Sequence, residues 1–203
     1  MAQSLKKINK EGSIEARLRK IHLKMDRECL CDLRHSATQA VWGKGSPQAK
    51  IVFIGEAPGK KEDLQGEPFI GAAGKFLDEM LASVGLKREA VYITNVVKYR
   101  PPNNRDPLPQ EVSDCWEWLR LEIECIQPKL IVTLGRHALH RFIPEAVISQ
   151  EHGKLFRRDV PGLGEWNFYV LYHPAAALYN GGLRETLKQD FRRIPEITQA
   201  IRK

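Results

Sequence analysis

Three side chains of different chemistry close three apolar segments of this chain. Glu56 stands in Gly55-Glu56-Ala57-Pro58-Gly59, directly after Ile51-Val52-Phe53-Ile54. Asn95 ends Val91-Tyr92-Ile93-Thr94, and His173 follows Phe168-Tyr169-Val170-Leu171-Tyr172 and precedes Pro174. A carboxylate can orient water or stabilise positive charge. A carboxamide carries a donor and an acceptor in one plane. An imidazole N–H can stabilise a developing negative charge. Gly55 and Gly59 let backbone N–H groups approach a ligand closely. Asn is a poor strand former, so Asn95 either caps the next turn or faces a ligand.

The elements that must position these residues follow from the hydrophobic pattern. Ser13 can cap a helix with the apolar stripe Ile14, Leu18, Ile21 and Met25. Residues 28–49 read as a loop-rich approach to a strand over 51–54, and a long loop then runs to Gly71. The spacing of Phe76, Leu77, Met80 and Leu81 predicts a helix over Ala72–Val84, stopped by Gly85. A second strand covers Val91–Val96, and the Pro/Asn-rich stretch 99–109 is irregular. Pro109 opens a helix carrying Val112, Trp116, Leu119 and Ile123 on one face. Leu130–Leu134 is a third strand, Gly135 opens a helix to Phe142, and Phe168–Tyr172 is a fourth strand. Leu183, Leu187 and Phe191 mark the last helix. Strands alternating with helices imply an α/β protein: a three-layer α/β/α sandwich around a mainly parallel, four-stranded sheet. One domain is expected over residues 1–203, with residues 1–12 flexible. Ligands of such sheets bind beyond the carboxyl ends of the strands, so Glu56, Asn95 and His173 should converge on one rim.

Read in order, the motifs resemble the family 4 uracil-DNA glycosylases. The resemblance rests on Gly55-Glu-Ala-Pro-Gly-x-x-Glu62-Asp63, Gly66-x-Pro68-Phe69-x-Gly71 and Tyr92-Ile-Thr-Asn95-Val-Val-Lys98. It continues through Arg100-Pro-Pro-Asn-Asn-Arg-Asp-Pro-Leu-Pro109, Ile131-Val-Thr-Leu-Gly135 and His173-Pro174-Ala175, covering roughly residues 28 to 195. It implies an enzyme that flips uracil out of the DNA stack and hydrolyses its N-glycosidic bond, leaving an abasic site. Phe69 would stack on the base, with core packing as its alternative role. Asn95 would match uracil N3–H and O4, a pattern that cytosine reverses. His173 would reach O2, and Gly55 and Ala57 would border the base. Glu56 would orient water and stabilise an oxocarbenium-like sugar. Glu62 competes for that task, or holds the loop together with Asp63. Asn104 and Arg105 would contact DNA or brace the Pro-rich turn. Leu178 or Tyr179, in His173-Pro-Ala-Ala-Ala-Leu-Tyr-Asn-Gly-Gly182, would be the wedge. Tyr179 departs from a basic residue usual in that family. Of the six histidines only His173 stands in a motif; His22, His35, His137, His140 and His152 read as surface or packing residues. Other readings are a glycosylase preferring hypoxanthine and a non-catalytic DNA-binding protein. A relative that traps DNA through an inserted basic loop is disfavoured, because no insertion separates Lys98 from Pro109.

Most members of that family hold a [4Fe–4S] cluster on four cysteines. Here Glu28 and Tyr99 stand at two of the ligand positions, and Cys31 and Cys115 at the others. Cys29 can shift in to make three. Cys125 lies ten residues past Cys115 on one predicted helix, about 15 Å along its axis. A cluster needs thiolates at nearly every corner, so the cofactor is expected to be absent and no metal is expected.

The composition allows these readings. The net charge is +7 and the pI about 9.3, which suits a polyanionic partner such as uracil-containing DNA. Basic residues gather at both ends, from Lys6 to Arg27 and from Arg184 to Lys203. No apolar run approaches the roughly 20 residues that span a bilayer, and Met1-Ala-Gln-Ser-Leu-Lys-Lys has no signal core. A monomeric, cytoplasmic protein with no membrane partner is the expectation.

Overall fold

The apolar runs pair into a sheet because each is buried on both faces, as parallel strands covered by helices must be. The computed structural model describes residues 12–201; the flexible segment expected at 1–12 lies, apart from Gly12, outside them. Strands are β1 (Lys44–Gly45), β2 (Ile51–Gly55), β3 (Tyr92–Asn95), β4 (Leu130–Leu134), β5 (Leu155–Val160) and β6 (Gly164–Leu171). Helices are α1 (Ile14–Glu28), α2 (Lys60–Gln65), α3 (Ala72–Ser83) and α4 (Pro109–Ile126), then α5 (Arg136–Phe142), α6 (Ile148–Glu151), α7 (Gly181–Arg192) and α8 (Ile194–Ala200).

The sheet has six strands in the order β1-β3-β2-β4-β6-β5, not the four expected. Its centre, β3-β2-β4-β6, is parallel, and β1 and β5 are antiparallel edges. The two extra strands lack the apolar signature. β1 is two exposed residues, and β5, Leu-Phe-Arg-Arg-Asp-Val, exposes most of its length. β5 exists because β6 begins four residues earlier than its apolar run and folds back through Pro161-Gly162-Leu163. The loop expected between β2 and Gly71 likewise contains the short helix α2.

Alternation along β2 sorts the core into two layers. Val52 and Ile54 face a cluster with Leu18, Ile21 and Met25 of α1, Leu119 and Ile123 of α4, and Leu139 of α5. Ile51 and Phe53 face Phe76, Leu77 and Met80 of α3, Leu187 and Phe191 of α7, and Ile194 of α8. Ser13 caps α1 by accepting from the Ala16 N–H at 3.2 Å.

One polar network is buried between α1, α4 and β3. Glu122 of α4 accepts from Lys98 Nζ at 2.6 Å, Thr94 Oγ1 at 2.9 Å and Tyr92 OH at 3.1 Å, and lies 2.9 Å from His22 Nε2. Burial opposes its charge, but Lys98 and His22 outweigh that and hold the carboxyl well below the usual carboxylate range. His22 is thus a packing residue, as expected, with an ion-pairing partner.

Candidate active site

The register brings the strand ends together: Gly55 pairs with Asn95, and Leu134 with Leu171. Beyond this rim lies a cleft of about 390 Å³. Glu56, Ala57, Glu62, Phe69, Asn95, Asn104, Arg105 and His173 all line it. Gly55 lies beneath the cleft, where a Cβ would stand 2.5 Å from both Asn95 Oδ1 and Phe69 Cζ. Its role is to let those two side chains meet.

Asn95 is 2% exposed, and its Oδ1 has no hydrogen-bond partner among the described residues. A buried amide oxygen left unpaired is costly, and such a group on a cleft wall is suited to a ligand's donor. Phe69 has φ 54°, in the left-handed region that a bulky side chain rarely adopts. The surrounding loop enforces this geometry. Glu62 Oε1 accepts from the N–H groups of Ile70 at 3.0 Å and Gly71 at 2.9 Å, and Arg88 donates to the Pro68 carbonyl. At Gly74 a Cβ would stand 1.8 Å from the Phe69 carbonyl oxygen. The Phe69 ring is set 5.6 Å from that of His173, tilted by 31°.

His173 Nδ1 accepts from the Ala175 N–H at 3.1 Å. That bond puts the neutral ring's proton on Nε2. Burial lowers the imidazole pKa to about 4, so the ring is neutral across the physiological range. Gly135, at φ +86°, closes β4 against it; a Cβ there would come 2.9 Å from His173 Cβ.

Glu56 stands at the mouth, and burial raises its pKa. His137 and Arg136 counter that rise, while Asp106 adds to it. Its Oε2 lies 3.8 Å from His137 Nε2, which lies 3.3 Å from Asp106 Oδ2. Both carboxylates line the cleft but differ in their partners: Glu62 Oε1 accepts from two backbone amides, and Glu56 lies near the His137 imidazole. Asp63 holds the adjoining segment, accepting from the Thr38 N–H at 2.8 Å and Oγ1 at 2.7 Å.

A model of the uracil DNA glycosylase superfamily matches residues 42–194. The chain belongs to that superfamily. It is 50% identical to a type-4 uracil-DNA glycosylase of Archaeoglobus fulgidus over 172 residues, 82% of this chain and 86% of that protein. Type-4 enzymes of Sulfurisphaera tokodaii and Saccharolobus solfataricus are 46% and 44% identical, over 82% and 84% of this chain and 78% and 82% of theirs. Membership of the type-4 family is thereby shown.

Not every residue singled out from the type-4 motifs reaches the cleft wall. Asn104 Oδ1 accepts from Arg100 Nε at 2.7 Å, and Arg105 makes a two-pronged pair with Glu111 at 2.6 and 2.9 Å. Both brace the Pro-rich turn while standing at the cleft mouth. Leu178 and Tyr179 lie outside the cleft lining. Pro174–Leu178 forms a 3-10 turn, with Leu178 half-buried on the core and Tyr179 94% exposed. Of the two wedge candidates, only Tyr179 projects.

The four-thiolate cluster that the type-4 resemblance implies does not fit the residues present. Cys29, Cys31 and Cys115 are all buried, and Cys29 and Cys31 donate to the Asp114 and Glu111 carbonyls of α4, the helix that carries Cys115, at 4.0 and 3.9 Å. Tyr99 and Trp118 belong to the same buried cluster as Cys29, and Glu28 pairs with Lys24 of its own helix at 3.5 Å. Cys125 donates instead to the Ile14 carbonyl at 3.7 Å. Three thiols converge, and Tyr99 fills the fourth side. Contact with Cys115 draws the Cys29 pKa down to about 6 against the effect of burial. Among the described residues one group of three metal-ligand side chains has its atoms within 4.8 Å of one another: Glu56, Asp106 and His137. The Arg136 guanidinium already occupies it, 2.5 Å from Asp106 Oδ2 and 3.0 Å from His137 Nε2.

Asp106, within the Arg100–Pro109 motif but not singled out from it, also lines the cleft, and His137, outside the motifs, lies beside it. His137 reads from the sequence as a surface or packing histidine; it is half-buried, with its Nε2 3.8 Å from the Glu56 carboxylate. Its signal in the sequence is its position, three residues past the carboxyl end of β4.

Proposed function

We propose that this protein is a monofunctional DNA repair glycosylase that hydrolyses the N-glycosidic bond of uracil in DNA and leaves an abasic site. The observation that carries the reading is the unpaired, buried Asn95 Oδ1 on a cleft wall shared with Phe69, His173 and Glu56. Uracil offers an N3–H donor beside the O4 acceptor. The Asn95 amide matches both, and a fixed orientation rejects cytosine. The flipped base stacks on Phe69. The His173 Nε2–H donates to O2, where negative charge grows as the electrons of the C1′–N1 bond move to the base. A neutral donor aimed at that atom stabilises the transition state more than the bound base. Glu56 supports the opposite charge, on the sugar, and orients the water that attacks C1′. Glu62 acts at one remove, by holding the loop that carries Phe69. Tyr179 is the wedge that fills the space the base leaves.

The same reading takes the protein as a cytoplasmic monomer that works on DNA without an iron–sulfur cluster. No helix among the described residues is long and apolar enough to cross a membrane.

The test is single-turnover excision from a uracil-containing oligonucleotide, read by alkaline cleavage at the abasic site. Wild-type protein should cut at uracil and cut a hypoxanthine oligonucleotide far more slowly. Asn95→Ala should lose most uracil activity. A hypoxanthine rate above the uracil rate would replace the substrate. Tight binding of uracil DNA with no excision would return the binding-only reading.

A further inference from the structure

A residue's φ and ψ are set by how the two peptide planes on either side of its Cα are turned against each other. At Phe69 they stand at an angle that a bulky side chain rarely takes, with φ 54°. One side chain holds each of these planes from outside. Glu62 Oε1 accepts from the Ile70 N–H, which belongs to the plane after Phe69. Arg88 Nη2 donates to the Pro68 carbonyl, which belongs to the plane before it. Arg88 is in turn anchored on α3, where its Nη1 donates to Asp78 Oδ1 at 2.8 Å. A guanidinium carries donors only, so the direction of both bonds is fixed. Gly74, one helical turn before Asp78 on α3, leaves the slot into which the Phe69 carbonyl fits; a Cβ there would stand 1.8 Å from that oxygen. Arg88 itself lies in the 3-10 turn Arg88–Ala90 that leads into β3, twenty residues past Pro68 and outside the cleft lining.

We propose that Arg88, anchored by Asp78, is a positioning residue for Phe69. It holds the left-handed backbone that sets the ring on the cleft wall, a role that rests on the stacking of the base on Phe69 given above. Two contacts are needed, Glu62 after the residue and Arg88 before it, because one held plane leaves the other free to swing. With the Pro68 carbonyl released, the 68–69 peptide can turn and φ relaxes toward the negative values that a bulky residue favours. The ring then leaves its place 5.6 Å from that of His173, where it meets Asn95 over Gly55. Arg88 touches neither base nor sugar in this scheme; it acts through Phe69.

Single-turnover excision from the uracil oligonucleotide is measured for Arg88→Met, which keeps an apolar stem and removes both donors, in the wild-type and the Phe69→Ala backgrounds. If Arg88 acts through the ring, its loss should cost about tenfold in the first background and nearly nothing in the second, a coupling that general loosening of the fold does not produce. Affinity for DNA carrying an abasic site, which has no base to stack, should stay at the wild-type value. Asp78→Ala removes the anchor but leaves Arg88 its bond to Pro68, so it should give a smaller loss that also vanishes with Phe69→Ala. Asp78 is half exposed, so this variant reports even where Arg88→Met does not fold. Asp78→Asn keeps an acceptor and should recover most of the rate. The inference is overturned if Arg88→Met, or Asp78→Ala where the former does not fold, excises uracil at the wild-type rate. It is overturned equally if either variant slows the Phe69→Ala protein as much as the wild type, or weakens abasic-site binding as much as it slows excision. Failure of the stacking reading looks different: Phe69→Ala alone would then excise uracil at the wild-type rate, whatever stands at position 88.

Discussion

At the scale of the residue, Glu56 and Glu62 have the same side chain, stand six positions apart and make different contacts. Glu62 Oε1 is committed to two backbone N–H groups, and Glu56 opens on the cleft. Glu62→Gln keeps an oxygen that can accept from Ile70 and Gly71, so it should retain most activity. Glu62→Ala orphans both amides, at about 1–3 kcal/mol each, and should slow excision by releasing Phe69. Glu56→Gln should cost at least as much as the roughly 10²–10³ in rate expected from losing the His173 donor. A pH profile follows from the same groups. Burial raises Glu56, and His173 protonates only near pH 4. As pH falls, the rate should first drop through the Glu56 titration, and Glu56→Gln should erase that limb. Single-turnover profiles at saturating enzyme check both points. A silent Glu56→Gln beside an inactive Glu62→Gln would exchange the two roles. The sequence reading gave the water to Glu56 with Glu62 as competitor; their different contacts were not legible there, because both belong to one motif and only the loop path distinguishes them.

At the scale of the element, the network between α1, α4 and β3 holds the strand that ends in Asn95. Lys98 and Glu122 are fully buried and 2.6 Å apart. Lys98→Met removes the ammonium that faces the buried Glu122 and leaves that carboxylate to its hydrogen bonds with Thr94, Tyr92 and His22, so it should cost about 3–5 kcal/mol in denaturant unfolding; a loss under about 1 kcal/mol would mean that these remaining partners compensate. Glu122 is held ionised by its partners, so the pair's contribution is present above the ordinary carboxylate range and is lost as pH falls toward the depressed value. The cysteines make a second case. The positions after α1, after β3 and within α4 share one buried cluster, but they hold three cysteines and a tyrosine. Protein purified without oxygen should be colourless and carry no stoichiometric iron. A brown protein with about four irons per chain would overturn this and implicate Cys29, Cys31 and Cys115. The substitutions at 28 and 99 were legible in the sequence. The inward turn of Cys29 was an open alternative there, since it depends on how the chain leaves α1.

At the scale of the molecule, the described parts of the two basic ends lie on opposite faces of the sheet. α1 packs on the layer with α4, and α7 on the opposite layer with α3. Around the cleft, Lys60 and Lys61 are exposed where α2 begins, and Arg105 and Arg136 are tied to Glu111 and Asp106. DNA affinity should fall with salt, as phosphate contacts release counterions. Replacing Lys60 and Lys61 with Glu should reduce the log–log slope by about 1 for each phosphate no longer neutralised, and Arg192→Glu should leave it nearly unchanged. An equal reduction from Arg192→Glu would extend the track along α7. The sequence by itself determined the element types, their order, the parallel centre of the sheet and the convergence of Glu56, Asn95 and His173. Those properties are written locally, in apolar runs ended by turn residues, and a parallel sheet then carries all such ends to one rim. Tertiary structure alone decided the rest. β5 is a strand because β6 pairs with it, its own pattern being mostly exposed. Glu62 became a brace because the chain curls back over it. His137 reached Glu56 because α5 starts beside the turn that follows β2. Each depends on a distance between segments far apart in the chain, and no local pattern encodes such a distance.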